Sequence, residues 1–351
     1  MASLTQISIT SRRVIRYGIY IIILIVIGRF VFNIGATVYR RLVPPPKPKP
    51  TTAFGKLPKL PFPQKPNPTI NYALELPEGK LPEIAELTEI YAMPPFVTNI
   101  KALEDASEKA NSLGFKTEGK RVVESIPNVY IFEKGSLPSK LTINIITGIF
   151  SMSYNIEEDP LILQGVPPAP EEGAQTARDL LRNAKLLAED LKESPFTHQF
   201  LRYEATNFNS VSSLSESNLI KINLFRKGYG INDSIQSVTP DMPEANVWFI
   251  ISGGRGGQII IGEYHYFPLD ATKFSTYPLK KSDQAFEELK NGKGFIANLG
   301  DNKDSATIRK VYLAYYDAGQ YQEYYQPVVV FEGDNNFFAY VPAVTDEFYG
   351  K

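Results

Sequence analysis

The chain opens with a hydrophobic pattern that favours no face. Residues 17–39, YGIYIIILIVIGRFVFNIGATVY, are apolar or small at nearly every position, with Arg29 as the one charge. A run of that length can cross a bilayer as a helix. Residues 18–27 are apolar all round, which argues against a helix lying flat at the interface with one polar face. Arg29 would cost roughly 2.5–3.5 kcal/mol near the bilayer centre, a cost relieved if its side chain reaches toward the headgroups. The run is too long for the apolar core of a cleaved signal peptide, and no A-x-A site follows it, so it reads as a retained signal anchor.

After the anchor the pattern disappears. Residues 43–68 contain ten of the chain's 27 prolines. Proline fixes φ and removes a donor, so neither a helix nor a central strand can form there. An extended, polyproline-like stalk is expected, at about 3.1 Å per residue reaching up to roughly 80 Å. A spacer after an anchor is the reading taken over a P-x-x-P ligand for a partner domain.

Alternation and helical spacing return from residue 69. TINYALELPEG predicts a first strand. Over 99–115, Ala102, Leu103, Ala106, Ala110 and Leu113 recur at helical spacing, with Gly114 as the terminating residue. NVYIFEKG and KLTINIITGIFSMSYNIE predict strands, the latter folded back at Thr147-Gly148. VPPAP at 166–170 marks a boundary, and a helix with acids in its first turn follows over 171–194. NLIKINLFRKGYG, ANVWFIISGG and GQIIIGEYHYFPL predict strands, and SDQAFEELKNGKG a helix from Ser282 to Gly292. TIRKVYLAYY, YYQPVVVFEG and NFFAYVPAV close the chain. The fold class is α+β: an N-terminal transmembrane helix, a Pro-rich stalk, then two small domains, each an antiparallel sheet plus helix. The expected divisions are a tail over 1–16, the anchor over 17–39, the stalk over 40–68, a first domain over 69–160 and a second over 168–351, ending in a three-stranded meander.

Charge sharpens this picture. Residues 1–74 carry eleven Lys and Arg and no acid, leaving 26 basic against 38 acidic residues in the remainder, a net of −12. An acidic globular part argues against nucleic acid as a partner. The basic part flanks the apolar run, where anionic headgroups are the simpler partner. Arg12, Arg13 and Arg16 favour a cytoplasmic N-terminus, although Arg40 and Arg41 oppose them. With only sixteen residues before the anchor, the C-terminal domains are expected outside the cytoplasm, in a single-pass cell-membrane protein.

Chemistry is sparse. The chain has no cysteine, which excludes thiolate catalysis, disulfides and cysteine-bound metals. Its two histidines, His198 and His265, have no second histidine at ligand spacing, and no G-x-S-x-G, H-E-x-x-H or P-loop pattern occurs. SGGRGGQ at 252–258 lies between two apolar strands, so it predicts a hairpin turn with Arg255 at its tip. DNKDSAT and EGDNN do not match a calcium loop. No catalytic residue, metal site or cofactor is therefore expected. A pair of glycosidase-type carboxylates stays open, since their separation is spatial and 38 acids are available.

Residues 100–155 resemble a PepSY-type unit, through the helix ending in LGF, then NVYIFEKG, then LTINIITGIF. Residues 281–344, SDQAFEELKNGKGFI to FFAYVPAV, are similar to the C-terminal region of the YycH/YycI group. Members of that group are single-pass extracytoplasmic regulators that act on a membrane sensor kinase by protein contact; the resemblance implies a regulator of that kind, with no catalytic residues to carry over, and these motifs alone do not imply the kinase partner. The resemblance covers about a third of the chain. The resulting expectation is an envelope protein that binds another protein or peptide; a polysaccharide hydrolase or a structural part of a surface assembly is the alternative. The stretch 311–333 holds six tyrosines and predicts a hairpin turning at Asp317–Gln320. Pro327 suggests an edge or bulge. Tyr321, Tyr324 and Tyr325, with Arg255, are the candidate partner contacts.

Overall fold

The computed structural model describes residues 4–42, 49–65, 68–97, 99–115, 123–134, 137–302 and 304–350; the side chains of residues 4–15, 37–42, 123 and 255 lie outside that description. The chain divides into two compact units, Met1–Lys49 and Pro50–Lys351.

The first unit is a helix over Leu4–Leu42. Its stretch Arg16–Ala36 is long and apolar enough to cross a membrane. Arg12 and Arg13 precede that stretch, Arg16 begins it, and Arg40 and Arg41 follow it within the same helix. The segment before the anchor is thus helical from Leu4. Once a helix is nucleated each added residue gains a hydrogen bond, so a short polar flank can continue it.

The second unit is built on three sheets. The largest has nine strands, in the order Val123–Ile126, Val129–Glu133, Ser139–Asn144, Phe150–Tyr154, Ile259–Tyr264, Val247–Ser252, Leu219–Leu224, Phe196–Glu204 and Asn207–Ser210. Every neighbouring pair in it is antiparallel. The hairpins predicted at Thr147-Gly148 and at 252–258 are both present. Phe150–Tyr154 pairs with Ile259–Tyr264, with Met152 opposite Gly262, so this sheet continues across the boundary expected at 160–168. The two helices Ala102–Ser112 and Pro170–Asn183 cover one face. Ala106 and Ala110 from one, and Ala174, Ala177 and Leu181 from the other, share a core with Leu141, Ile143, Phe150, Ile222 and Phe249. Small residues let the helices approach closely: a Cβ on Gly173 would lie 3.1 Å from Ile222 Cδ1.

The helix predicted over 171–194 ends early. Lys185 takes a left-handed conformation, and the N–H groups of Leu186 and Leu187 both donate to Leu181 O. Leu186 and Leu187 then pack against the same core, and a single turn, Glu189–Lys192, follows. Burial of two leucines here outweighs continuation of the helix.

The second sheet runs Asn71–Leu74, Ser305–Tyr316, Pro327–Gly333, Phe337–Pro342 and Phe295–Asn298, with only its first pairing parallel along that path. Helix Ser282–Lys290 covers one face through Ala285, Phe286 and Leu289. Along Ser305–Tyr316, Val311 lies on the helix side while Ala314 and Tyr316 lie on the other, as strand alternation requires. The third sheet joins Asp270–Pro278, Leu87–Ala92 and Tyr324–Tyr325.

Two expectations change. Tyr324–Tyr325 leaves the hairpin to pair with Tyr91 and Ala92, so the returning strand begins only at Pro327. That strand is central rather than at an edge, because a proline as first residue removes no ladder bond that the sheet needs. The other change concerns the stalk. Residues from Thr51 to Lys65 belong to the second unit and pack on the rest of it: Leu57 and Leu60 are buried, Phe54 stacks on Tyr324 with centroids 4.8 Å apart, and Phe62 stacks on Phe295 at the same distance. Leu57 N donates to Phe348 O at 2.8 Å and Gln326 Nε2 to Pro58 O at 3.1 Å. A turn at Thr52–Gly55, where Gly55 N donates to Thr52 O, sets Phe54 and Leu57 against the core under helix Ser282–Lys290, while Leu60 and Phe62 pack into the core on the other face of the second sheet. The segment carries its own apolar residues for docking, and in sequence only residues 43–50 separate the end of the long helix from the first docked contact at Thr51. The stalk expected over 40–68 is therefore docked from Thr51 to Lys65, and its residues 43–48 and 66–67 lie outside the described residues.

Candidate binding groove

The face of the nine-stranded sheet opposite the two helices carries the clearest concave site. Strand alternation sends Val247, Phe249 and Ile251 to the helix side and leaves Trp248 on the other. Cross-strand register then aligns a row: Asn223 faces Trp248, Trp248 faces Glu263, Glu263 faces Ser151, and Ser151 faces Thr142. Five strands about 4.8 Å apart make this row roughly 19 Å long. Toward Ile250 and Ile260 the same face is covered by Ile156 and Ile162. The Trp248 end stays open, and with Asp241–Asn246 as a wall it forms a groove of about 550 Å³. That size is within the range of ligand sites.

Each carboxylate in the groove has a basic neighbour. Lys65 Nζ donates to Asp241 Oδ1 at 2.7 Å and to the carbonyls of Pro240 and Ala297, both at 3.0 Å. Lys221 Nζ lies 2.6 Å from Glu244 Oε2 and 4.0 Å from the centre of the Trp248 ring. His265 Nε2 is 3.0 Å from Glu263 Oε2. That hydrogen bond raises the His265 pKa above its ordinary value, against the lowering effect of partial burial. Lys65 comes from the docked proline segment, so the segment helps to hold the groove wall.

Beneath the groove lies a cluster that sequence patterns did not reveal. Arg226 is fully buried and donates from Nε to Asp317 Oδ2 at 2.8 Å, from Nη1 to Asp190 Oδ2 at 2.8 Å, and from Nη2 to Phe267 O at 2.5 Å. Tyr229 and Tyr266 donate their hydroxyls to the two oxygens of Asp190, at 2.9 and 2.8 Å. The guanidinium also lies 4.2 Å from the Tyr266 ring centre. Burial disfavours the charge of Arg226, yet Asp317, Tyr266 and Asp190 more than offset it and raise the pKa. The cluster ties the single turn 189–192, the end of strand 219–224 and the 317–320 turn into one unit. Enclosed in this way it can hold structure, but a ligand cannot reach it. No group of three His, Asp or Glu suited to a metal occurs among the described residues.

The candidate tyrosines separate. Tyr325 is fully buried, stacked on Tyr315 with centroids 4.9 Å apart, and is removed from the set of contact residues. Tyr324 is half-buried under Phe54 of the docked segment. Tyr321 is exposed, edge-on to Phe96. Arg255 sits in the turn Gly254–Gly256, with its side chain outside the description. None of the four lines the groove. The row Trp248, Glu263, Ser151 and Thr142 was not singled out from sequence, because its members lie on four strands whose order only the folded sheet supplies. The signal was present in part: Trp248 is the chain's one tryptophan and sits between apolar residues on a predicted strand.

No family model matches the chain, and no curated protein matches its sequence. Among solved structures, the chain is similar to the C-terminal domain of YpeB from Bacillus megaterium, with 14% identity and a TM-score of 0.34, over 74% of this chain and 97% of that one. It is also similar to an uncharacterized protein from Eubacterium rectale ATCC 33656, with 10% identity and a TM-score of 0.37, over 76% and 85% of the two chains. At those scores the paths agree only loosely, and the neighbours fix neither the detailed fold nor a function.

Proposed function

We propose that this chain is a membrane-anchored protein of the cell envelope that binds another protein or peptide on the open face of its large sheet. The observation that carries the reading is the groove beside Trp248, where a row of side chains suited to contact runs across five strands. The apolar helix supplies the anchor, with the N-terminus cytoplasmic and residues 50–351 outside. The resemblance to PepSY-type units and to the YycH/YycI regulators suggests that the contact regulates its partner. A hydrolase is less well supported, because each groove carboxylate already has a basic neighbour instead of standing ready as an acid or nucleophile.

A photo-crosslinking residue placed at Thr142 in the full chain, in its native membrane, is expected to capture one envelope protein. If nothing is captured from that position the binding reading fails. Protease added outside permeabilised envelopes should digest residues 50–351, and protection of that region would reverse the orientation.

A further inference from the structure

The groove walls show what kind of group they accept. Two ammonium groups of the chain itself are already held at the margin, Lys65 by Asp241 with the carbonyls of Pro240 and Ala297, and Lys221 by Glu244 over the Trp248 ring. Both lysines are set back, with 34% and 12% of their side chains exposed, while the carboxylates they meet are 71% and 42% exposed. The groove lining therefore presents acid outward. Glu263 lines the same groove in a different setting. It is directly opposite Trp248 on one neighbouring strand and Ser151 on the other, and its basic neighbour is a histidine, which is positive only when protonated.

From this arrangement we infer that the groove takes an extended polypeptide segment bearing a lysine or arginine, whose cation pairs with Glu263 beside Trp248. The inference rests on the binding reading above and names its ligand. The row of about 19 Å accommodates roughly six residues of extended chain. Ser151 and Thr142 offer hydroxyls to the ligand backbone, and the ring edge and face of Trp248 accept the aliphatic stem and charge of a basic side chain, as they already do for Lys221. Charge complementarity selects the partner, because an acidic segment would meet Asp241, Glu244 and Glu263 together.

The test uses the full chain in detergent micelles and the emission of Trp248, the only tryptophan. The probes are blocked pentapeptides, Gly-Ser-Lys-Ser-Gly and its counterparts with norleucine or glutamate at the centre. The lysine peptide is expected to bind about tenfold more tightly than the norleucine peptide, from a half-exposed ion pair together with a cation–π contact. The difference should shrink as salt is raised. Glu263→Gln should abolish it. Ser151→Lys, which places the chain's own ammonium next to Glu263, should abolish it independently. Equal binding of the norleucine peptide, no binding of any peptide, a retained preference in Glu263→Gln, or a stronger response to a chitin oligosaccharide each overturns the inference. If the Thr142 crosslinker still captures its protein equally well in Glu263→Gln, the charge assignment falls while the binding reading stands.

Discussion

Replacing Arg226 with Met tests whether the buried cluster holds the second unit together. The substitution keeps most of the side-chain volume but leaves the carboxylates of Asp190 and Asp317 buried without their cation. Breaking a buried ion pair by removing one partner costs about 3–5 kcal/mol. The lost contact with the Tyr266 ring, at 4.2 Å, adds about 0.5–2 kcal/mol. Against a total stability of roughly 5–15 kcal/mol, R226M should sit near the edge of folding. At about 2–4 °C per kcal/mol, its melting temperature should fall by roughly 7–28 °C. Urea unfolding followed by Trp248 emission measures this directly, because Trp248 pairs with the strand that ends two residues before Arg226. R226K should recover only part of the loss, since an ammonium on a flexible stem cannot reproduce the planar fork that serves three acceptors. Removing the stranded charges in the triple variant R226M/D190N/D317N should also recover part of it. A loss below about 1 kcal/mol in R226M would show that the cluster is solvated in solution and would refute the reasoning.

Leu57→Ala should destabilise the second unit by about 2–5 kcal/mol, as for a fully buried leucine, whereas a free spacer would show no change in the urea midpoint. Tyr325→Phe should leave stability unchanged or slightly raised, because the Tyr325 hydroxyl is buried with no hydrogen-bond partner among the described residues; calorimetry checks it, and a loss above about 1 kcal/mol would reveal a partner. The His265 ring should titrate by NMR above the ordinary histidine value, and Glu263→Gln should lower that midpoint. Since the folded-state pKa is raised, the Glu263–His265 contact stabilises fully below the unfolded histidine pKa and is lost as pH rises through the folded one.

Periodicity made the elements legible where they answer only to themselves. The helix ending at Gly114, the Thr147-Gly148 hairpin and the turn at 252–258 follow from local spacing and turn chemistry. Long-range demands decided the rest. Nothing near Lys185 announces a helix end; Leu186 and Leu187 turn inward because a core residue space awaits them. Tyr324 and Tyr325 look like a continuation of their hairpin, and the strand Leu87–Ala92, more than 230 residues earlier, takes them instead. Over the described residues 49–65 the prolines exclude helix and extended strand as expected, but the docking of Phe54, Leu57 and Leu60 was hidden because their partners lie more than 200 residues further along the chain. The groove suffered most. Its residues are ordinary within their own strands and gain meaning only from register across strands far apart in sequence.

The docked proline segment also imposes an order on the making of the protein. Leu60 N donates a hydrogen bond to the hydroxyl of Tyr349, 289 residues later, and Leu57 N donates to Phe348 O beside it. At a synthesis rate of about 5–20 residues per second, those partners emerge roughly 15–60 s after the segment itself. Through that interval the anchor can enter the membrane while Leu57 N and Leu60 N still lack these acceptors, although earlier partners such as Asp241, Ser275 and Phe295 have been made. These two bonds close only after residues 348–349 are made, so a nascent chain that stalls before Phe348 has the segment without its contacts at Leu57 and Leu60.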